Sequence, residues 1–145
     1  MKLAVLLFAA LISTTPLLTT TTPDAELVAA RVPLENYIRA HATGNGDFIR
    51  KAFFHDAKIM AFRDGKLLNL TVEEFAARFE GQPAADEPQR KRRIENVDLS
   101  GNAGMARIVL DYPTVTFTDY MSLLKVDGEW KIVNKVFYAE PKTKP

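Results

Sequence analysis

Phe117–Phe137 reads FTDYMSLLKVDGEWKIVNKVF. Two runs of aliphatic and aromatic residues flank Asp127-Gly128, a dipeptide that accepts positive φ at both central positions of a type I′ turn. The stretch is a β-hairpin, and its turn sets the register. An unbroken ladder places Lys125 opposite Trp130, Leu123 opposite Ile132, Met121 opposite Asn134, Asp119 opposite Val136 and Phe117 opposite Tyr138. The face they share is apolar and aromatic but carries Asp119 and Asn134. Polar groups set in such a face satisfy one another or meet a ligand. The opposite face, with Thr118, Ser122, Glu129, Lys131 and Lys135, is expected to look to solvent or to a partner subunit.

Working outward, Arg93–Leu99 and Met105–Tyr112 form two more strands around the turn Ser100–Gly104. Ala57–Phe62 and Lys66–Leu70 form a small hairpin at Asp64-Gly65. Thr71 and Glu74 have the spacing of a capping box and open a helix to about Phe79. Upstream, Leu27, Leu34, Ile38 and His41, with Ala30 and Tyr37, follow helical spacing. Asp24 is placed to cap that helix, Pro33 to kink or restart it, and Gly44-Asn45-Gly46 to end it. Asp47 is placed to cap a short helix, Phe48–Phe54. Helices first and antiparallel strands later define an α+β domain, with the helices covering one face of a bent sheet.

The chain has 145 residues and no cysteine. Met1-Lys2 followed by LAVLLFAALI (Leu3–Ile12) and a Ser/Thr-rich stretch reads as a secretory signal peptide over residues 1–22. Its apolar run is about half the roughly 20 residues that a membrane-spanning helix needs, so no stable membrane span is expected. Cleavage is expected between about Thr15 and Ala25. The expected mature domain is 23–140, with 141–145 a disordered tail, and the localisation secreted or periplasmic. A mature chain of about 120 residues is long enough for one domain with a core.

Losing Lys2 brings the 19 basic side chains level with the 18 acidic ones. That balance argues against nucleic acid as a partner, because such binding rests on neutralising phosphates. The basic cluster Arg90–Arg93 reads as a solvated strand start or, alternatively, as a patch for an anionic ligand or membrane surface.

Tyr37–Gly44 (YIRAHATG), Ala52–Ala57 (AFFHDA) and Phe117–Phe137, together with the order of elements, resemble the nuclear transport factor 2-like superfamily and its lumazine-binding branch. The resemblance covers roughly Ala25 to Glu140. It implies a cone: a curved antiparallel sheet, or cystatin-like roll, wrapped around N-terminal helices, with a pocket between them. It also implies a homodimer formed through the sheet. The superfamily includes isomerases, cyclases, epoxide hydrolases and dehydratases beside non-catalytic binders, and no enzyme motif of those relatives matches here residue by residue.

Asp119 is the candidate for acid–base chemistry, since a carboxylate on a concave apolar face has its pKa raised by desolvation. The competing reading is a structural carboxylate bonded to Asn134 or a tyrosine. His41, near the C-terminal end of the first helix, is the candidate partner, or else a capping histidine. Tyr37, Phe117, Met121, Trp130, Asn134 and Tyr138 are candidate ligand contacts, their rings suited to a flat molecule. For Trp130 and Met121, ordinary core is the competing assignment. His55 reads as structural. No metal-ligand spacing and no phosphate-binding glycine loop occur, so neither a metal nor another cofactor is expected.

Three functions remain open at this level. The first is an exported protein that binds a small apolar or aromatic ligand. The second is an acid–base enzyme of isomerase, dehydratase or cyclase type using Asp119. The third is a non-catalytic interaction module of the cell envelope.

Overall fold

The computed structural model describes residues 22–143; the signal-peptide reading and the last two residues lie outside them. Helix α1 runs Pro23–Thr43 and α2 Asp47–Ala52. Strand β1 (Phe53–Arg63) and β2 (Lys66–Thr71) lead to a short α3, Val72–Ala76. After a loop with one 3-10 turn at Glu87–Gln89 come β3 (Lys91–Ser100) and β4 (Ala103–Asp111). Two long strands finish the domain, β5 (Val115–Val126) and β6 (Glu129–Pro141). The six strands form one curved, unclosed sheet in the order β2-β1-β6-β5-β4-β3. Only β1 and β6 pair in parallel; the other neighbours are antiparallel. The expected α+β cone of helices within a curved sheet is the fold observed.

Local chemistry accounts for the element ends. Thr22, rather than Asp24, caps α1, its hydroxyl accepting from the Ala25 amide at 3.4 Å. Pro33 is buried inside a helix that continues through it. Gly44 ends α1 in the left-handed region at φ 66°. A side chain there would collide with the backbone of Gln82, since a Cβ would meet its carbonyl oxygen at 1.9 Å. Thr71 and Glu74 form the expected capping box, but α3 is only one turn long and stops short of Phe79. Helix α2 also ends early, because Phe53 turns extended and starts β1. At the other end, Pro141 pairs with Val115 and the Lys142 amide bonds to Thr114 O at 2.9 Å. The sheet therefore runs one residue past 140, to Pro141, and Lys142 is hydrogen-bonded just beyond its end.

The core lies between α1 and the concave side of the sheet. Ala30, Leu34, Tyr37 and Ala40 supply the helix stripe, and Ile59, Ile108, Leu110, Met121, Leu123 and Ile132 supply the sheet. Leu27, expected in that stripe, is partly exposed. Near the first turn of α1, Glu26 accepts from Trp130 Nε1 at 2.9 Å and pairs with Lys125 Nζ at 2.6 Å. Helix and hairpin are thereby tied together at the turn end of β5 and β6.

The hairpin turns at Asp127-Gly128 as expected, with φ of 50° and 84°. Lys125 faces Trp130 and Leu123 faces Ile132, but Ser122 then faces Asn134. Val133 is an extra residue with no partner on β5: a β-bulge. Beyond it the register departs from the unbroken ladder by one residue. Met121 faces Lys135, Asp119 faces Phe137 and Thr118 faces Tyr138. Lys135 and Phe137 therefore join the concave face, while Asn134, Val136 and Tyr138 go to the outer one.

Candidate functional site: a lysine–tyrosine–aspartate cluster under an aromatic cavity

Asp119 sits at the centre of β5 with no exposed surface. Its Oδ2 accepts a hydrogen bond from the Tyr37 hydroxyl at 2.6 Å. Lys135 Nζ donates to the same hydroxyl at 2.6 Å and lies 3.1 Å from Asp119 Oδ1. The Oδ1 contact rests on charge, since its geometry is not that of an aligned hydrogen bond. Helix α1, β5 and β6 each contribute one member. The lysine ammonium also lies 4.8 Å from the centre of the Tyr37 ring, 5.1 Å from Phe75 and 4.6 Å from Phe137. A buried charge needs such company, because an isolated ammonium in an apolar interior is very costly.

Burial shapes the titration of these groups. It pushes the Tyr37 hydroxyl well above 10, with the neighbouring Asp119 charge adding to the effect. It lowers Lys135 from its usual 10.5, opposed by the Asp119 carboxylate. It also holds His41 well below 6.5, reinforced by the charges of Lys135, Arg92 and Arg90.

His41 is reached from the other side by a second chain of bonds. Arg92 pairs with Glu87 at 2.5 Å, donates to the Tyr112 hydroxyl at 3.2 Å and donates to the His41 carbonyl at 3.2 Å. The Tyr112 hydroxyl lies 3.3 Å from His41 Nδ1. Arginine can only donate, so the phenol oxygen accepts from it, and the tautomer of His41 sets which way the Tyr112–His41 bond runs. His41 Nε2 is buried and has no hydrogen-bond partner among the described residues. The rings packed around the imidazole, with centroids 4.7 Å (Tyr37), 5.0 Å (Phe79) and 6.2 Å (Phe75) from its own, offer faces rather than lone pairs.

Tyr37, His41, Phe75, Leu110, Phe117, Lys135 and Phe137 line a cavity of about 190 Å³, with Arg63, Leu68 and Arg78 at its rim. Neither rim arginine has an ion-pair partner among the described residues. The volume is below the roughly 300–1,000 Å³ typical of sites for drug-sized molecules, so a compact occupant fits. An open groove of about 370 Å³ under the Glu80–Ala85 loop shares His41, Phe75 and Arg78 with it.

The cavity brings together Tyr37, His41 and Phe117 of the candidates read from sequence. Asp119 lies against it but does not line it: Tyr37 and Lys135 stand between. Met121 is buried core, and Trp130, bonded to Glu26, borders a separate groove beside Pro33 and Lys131. Asn134 and Tyr138 are corrections. Both lie on the outer face, Tyr138 63% exposed, because the bulge at Val133 turns them there. Asn134 is accordingly not the partner of Asp119. Lys135, assigned from sequence to the solvent face, is the partner instead. No sequence signal marks the bulge, but a lysine between Val133 and Phe137 in the middle of a long strand is a position to question. The basic cluster divides: Arg92 is nearly buried in its pair with Glu87, Arg90 lies over the Tyr112 ring at 4.3 Å, and Lys91 and Arg93 are exposed. His55 is exposed in a pair with Asp56 at 3.1 Å. No group of three or more histidines or acids suited to a metal occurs among the described residues.

A curved sheet around N-terminal helices, with a cavity between them, is the nuclear transport factor 2-like class of fold. Residues 25–138 match the family described as "Putative lumazine-binding", and the chain belongs to that family. Solved relatives agree. An NTF2-like protein of unknown function from Shewanella baltica is 29% identical with a TM-score of 0.76, covering 85% of this chain and all of that one. One from Silicibacter pomeroyi is 25% identical with a TM-score of 0.73, covering 83% of this chain and 100% of its own. One from Methylobacillus flagellatus is 29% identical with a TM-score of 0.70, covering 83% and 95%. By sequence, the chain is also similar to a protein named aldolase FrzH from Cladobotryum, 20% identical over 108 residues, covering 73% of this chain and 85% of that one.

Proposed function

We propose that this domain binds a compact apolar or aromatic molecule in the cavity between Tyr37 and Phe137. The observation that carries the reading is the pairing of an aromatic lining with the buried Lys135 ammonium and the unpartnered His41 Nε2. Such a mixture of apolar wall and a few placed polar groups is what small-molecule sites share. Membership of a lumazine-binding-like family supports it. Native mass spectrometry of the protein purified from its own host tests it: a small-molecule adduct is expected. Phe137→Trp, which adds volume inside the cavity, should abolish the adduct. Retention of the adduct by a folded Phe137→Trp protein would place the ligand elsewhere.

Two wider features belong to the same proposal. Residues 1–22 serve as an export signal, making the mature protein secreted or periplasmic; N-terminal sequencing of the host's protein tests this. The outer sheet face carries the exposed side chains Met105, Tyr120, Leu124, Val136 and Tyr138, and it joins two copies into a homodimer.

Acid–base catalysis is the second reading, favoured by the relative that bears the name aldolase. In it the proton of Asp119 reaches a ligand only through Tyr37 or Lys135, because the carboxylate does not line the cavity.

A further inference from the structure

We propose that Lys135 acts as an amine nucleophile and forms an imine with a small aldehyde or ketone held in this cavity, an inference that rests on the binding reading above. The geometry supplies each part the reaction needs. Lys135 lines the cavity, and the neighbour of its ammonium in the hydrogen-bond chain is a hydroxyl already bonded to a carboxylate. A proton can pass from Nζ to the Tyr37 oxygen while the Tyr37 proton passes to Asp119 Oδ2. The result is a neutral amine beside a carboxylic acid, with no charge separated. Burial lowers the affinity of Lys135 for its proton, which favours this step. Lysines in apolar pockets are the usual source of such amines.

The remaining steps balance without any outside reagent. The nitrogen lone pair attacks the carbonyl carbon, and the carbonyl π pair moves to oxygen. That oxygen takes up two protons, one from the nitrogen and one returned by Asp119 through Tyr37. It leaves as water while the nitrogen lone pair closes the C=N bond. Ammonium and carbonyl compound become protonated imine and water. Two of the three ammonium protons depart in the water, and the third stays on nitrogen. The positive charge is conserved and remains beside the Asp119 carboxylate. The aromatic lining favours expulsion of water and disfavours its return. Asp119 and Tyr37 are positioning and relay groups in this scheme, and Lys135 is the catalytic residue.

The test is reductive trapping on the intact folded domain with benzaldehyde and cyanoborohydride, read by peptide mapping. In parallel, cavity occupancy by benzaldehyde is followed through the NMR resonances of Tyr37 and Phe137. Lys135 is expected to be alkylated at least about tenfold faster than any exposed lysine, as burial-activated amines are. Lys135→Arg, which keeps the positive charge, should lose the cavity adduct only; should that variant fail to fold, the wild-type competition between lysines still decides. Benzaldehyde in the cavity with Lys135 unmodified, or modified no faster than exposed lysines, overturns the imine and leaves the binding reading standing. No occupancy and no Lys135 adduct overturns the imine and counts against the binding reading as well.

Discussion

Lys135 Nζ stands 3.1 Å from Asp119 Oδ1 across neighbouring strands, and the unpaired residue Val133 is what puts it there. Without that bulge, the alternation of β6 would send Lys135 to the outer face. Both partners are buried, so the pair is not screened as a surface pair would be. Removing one partner leaves the other charge uncompensated. Asp119→Asn is therefore expected to cost about 3–5 kcal/mol. The double variant Asp119→Leu, Lys135→Met should cost much less than the sum of its single changes. Denaturant melts of wild type, Asp119→Asn, Asp119→Leu, Lys135→Met and the double variant measure this. Additive losses would mean that the two side chains do not depend on one another.

His41 makes stability depend on pH. Its folded pKa lies well below the ordinary 6.5, chiefly through burial. Between the folded and unfolded values the unfolded chain binds more protons, so stability rises with pH in that window. It should thus be fully present above about pH 6.5 and fall as pH drops below it, by up to about 1.4 kcal/mol per unit. Melting temperatures across this range, compared with those of His41→Gln, check the effect. The variant should show a flatter profile, and an identical slope would contradict the assignment.

Gly128 closes the β5–β6 turn at φ 84°, with no atom near the place where a Cβ would stand. The cost of a side chain there is conformational rather than steric. Gly128→Val should destabilise by more than about 1 kcal/mol. An unchanged denaturant midpoint would remove the turn from its place as the anchor of the register.

The homodimer proposal makes a separate prediction. Val136 and Tyr120 face one another across β5 and β6 on the outer side, and both are exposed. Val136→Lys with Tyr120→Lys places like charges at the centre of that face. Sedimentation equilibrium should then show a monomer where the wild type is a dimer. A wild type that is monomeric at all working concentrations would refute the interface.

Much of the fold was legible because its signals are local. Asp127-Gly128, the Thr71–Glu74 capping box and Gly44 each act through the backbone of a few neighbouring residues, and each stands where the sequence puts it. The site was legible only in part. Tyr37, His41 and Asp119 follow from helix spacing and from strand alternation short of the bulge. Lys135 does not, since a single extra residue at Val133 inverts every assignment beyond it. The same inversion removes Asn134 and Tyr138 from the concave face. The Arg92–Tyr112–His41 chain was also out of reach, because it joins α1, β3 and the end of β4, which only the folded sheet brings together.

The central claim is that the Tyr37–Phe137 cavity is where this protein holds a small molecule. Chemical-shift mapping with a library of small aromatic and aliphatic fragments tests it most directly. Binding fragments are predicted to shift Tyr37, His41, Phe75, Leu110, Phe117 and Phe137 together, leaving Tyr120 and Tyr138 on the outer face unmoved. Shifts confined to the outer face or to the groove beside Trp130, or no binding by any fragment, would contradict it.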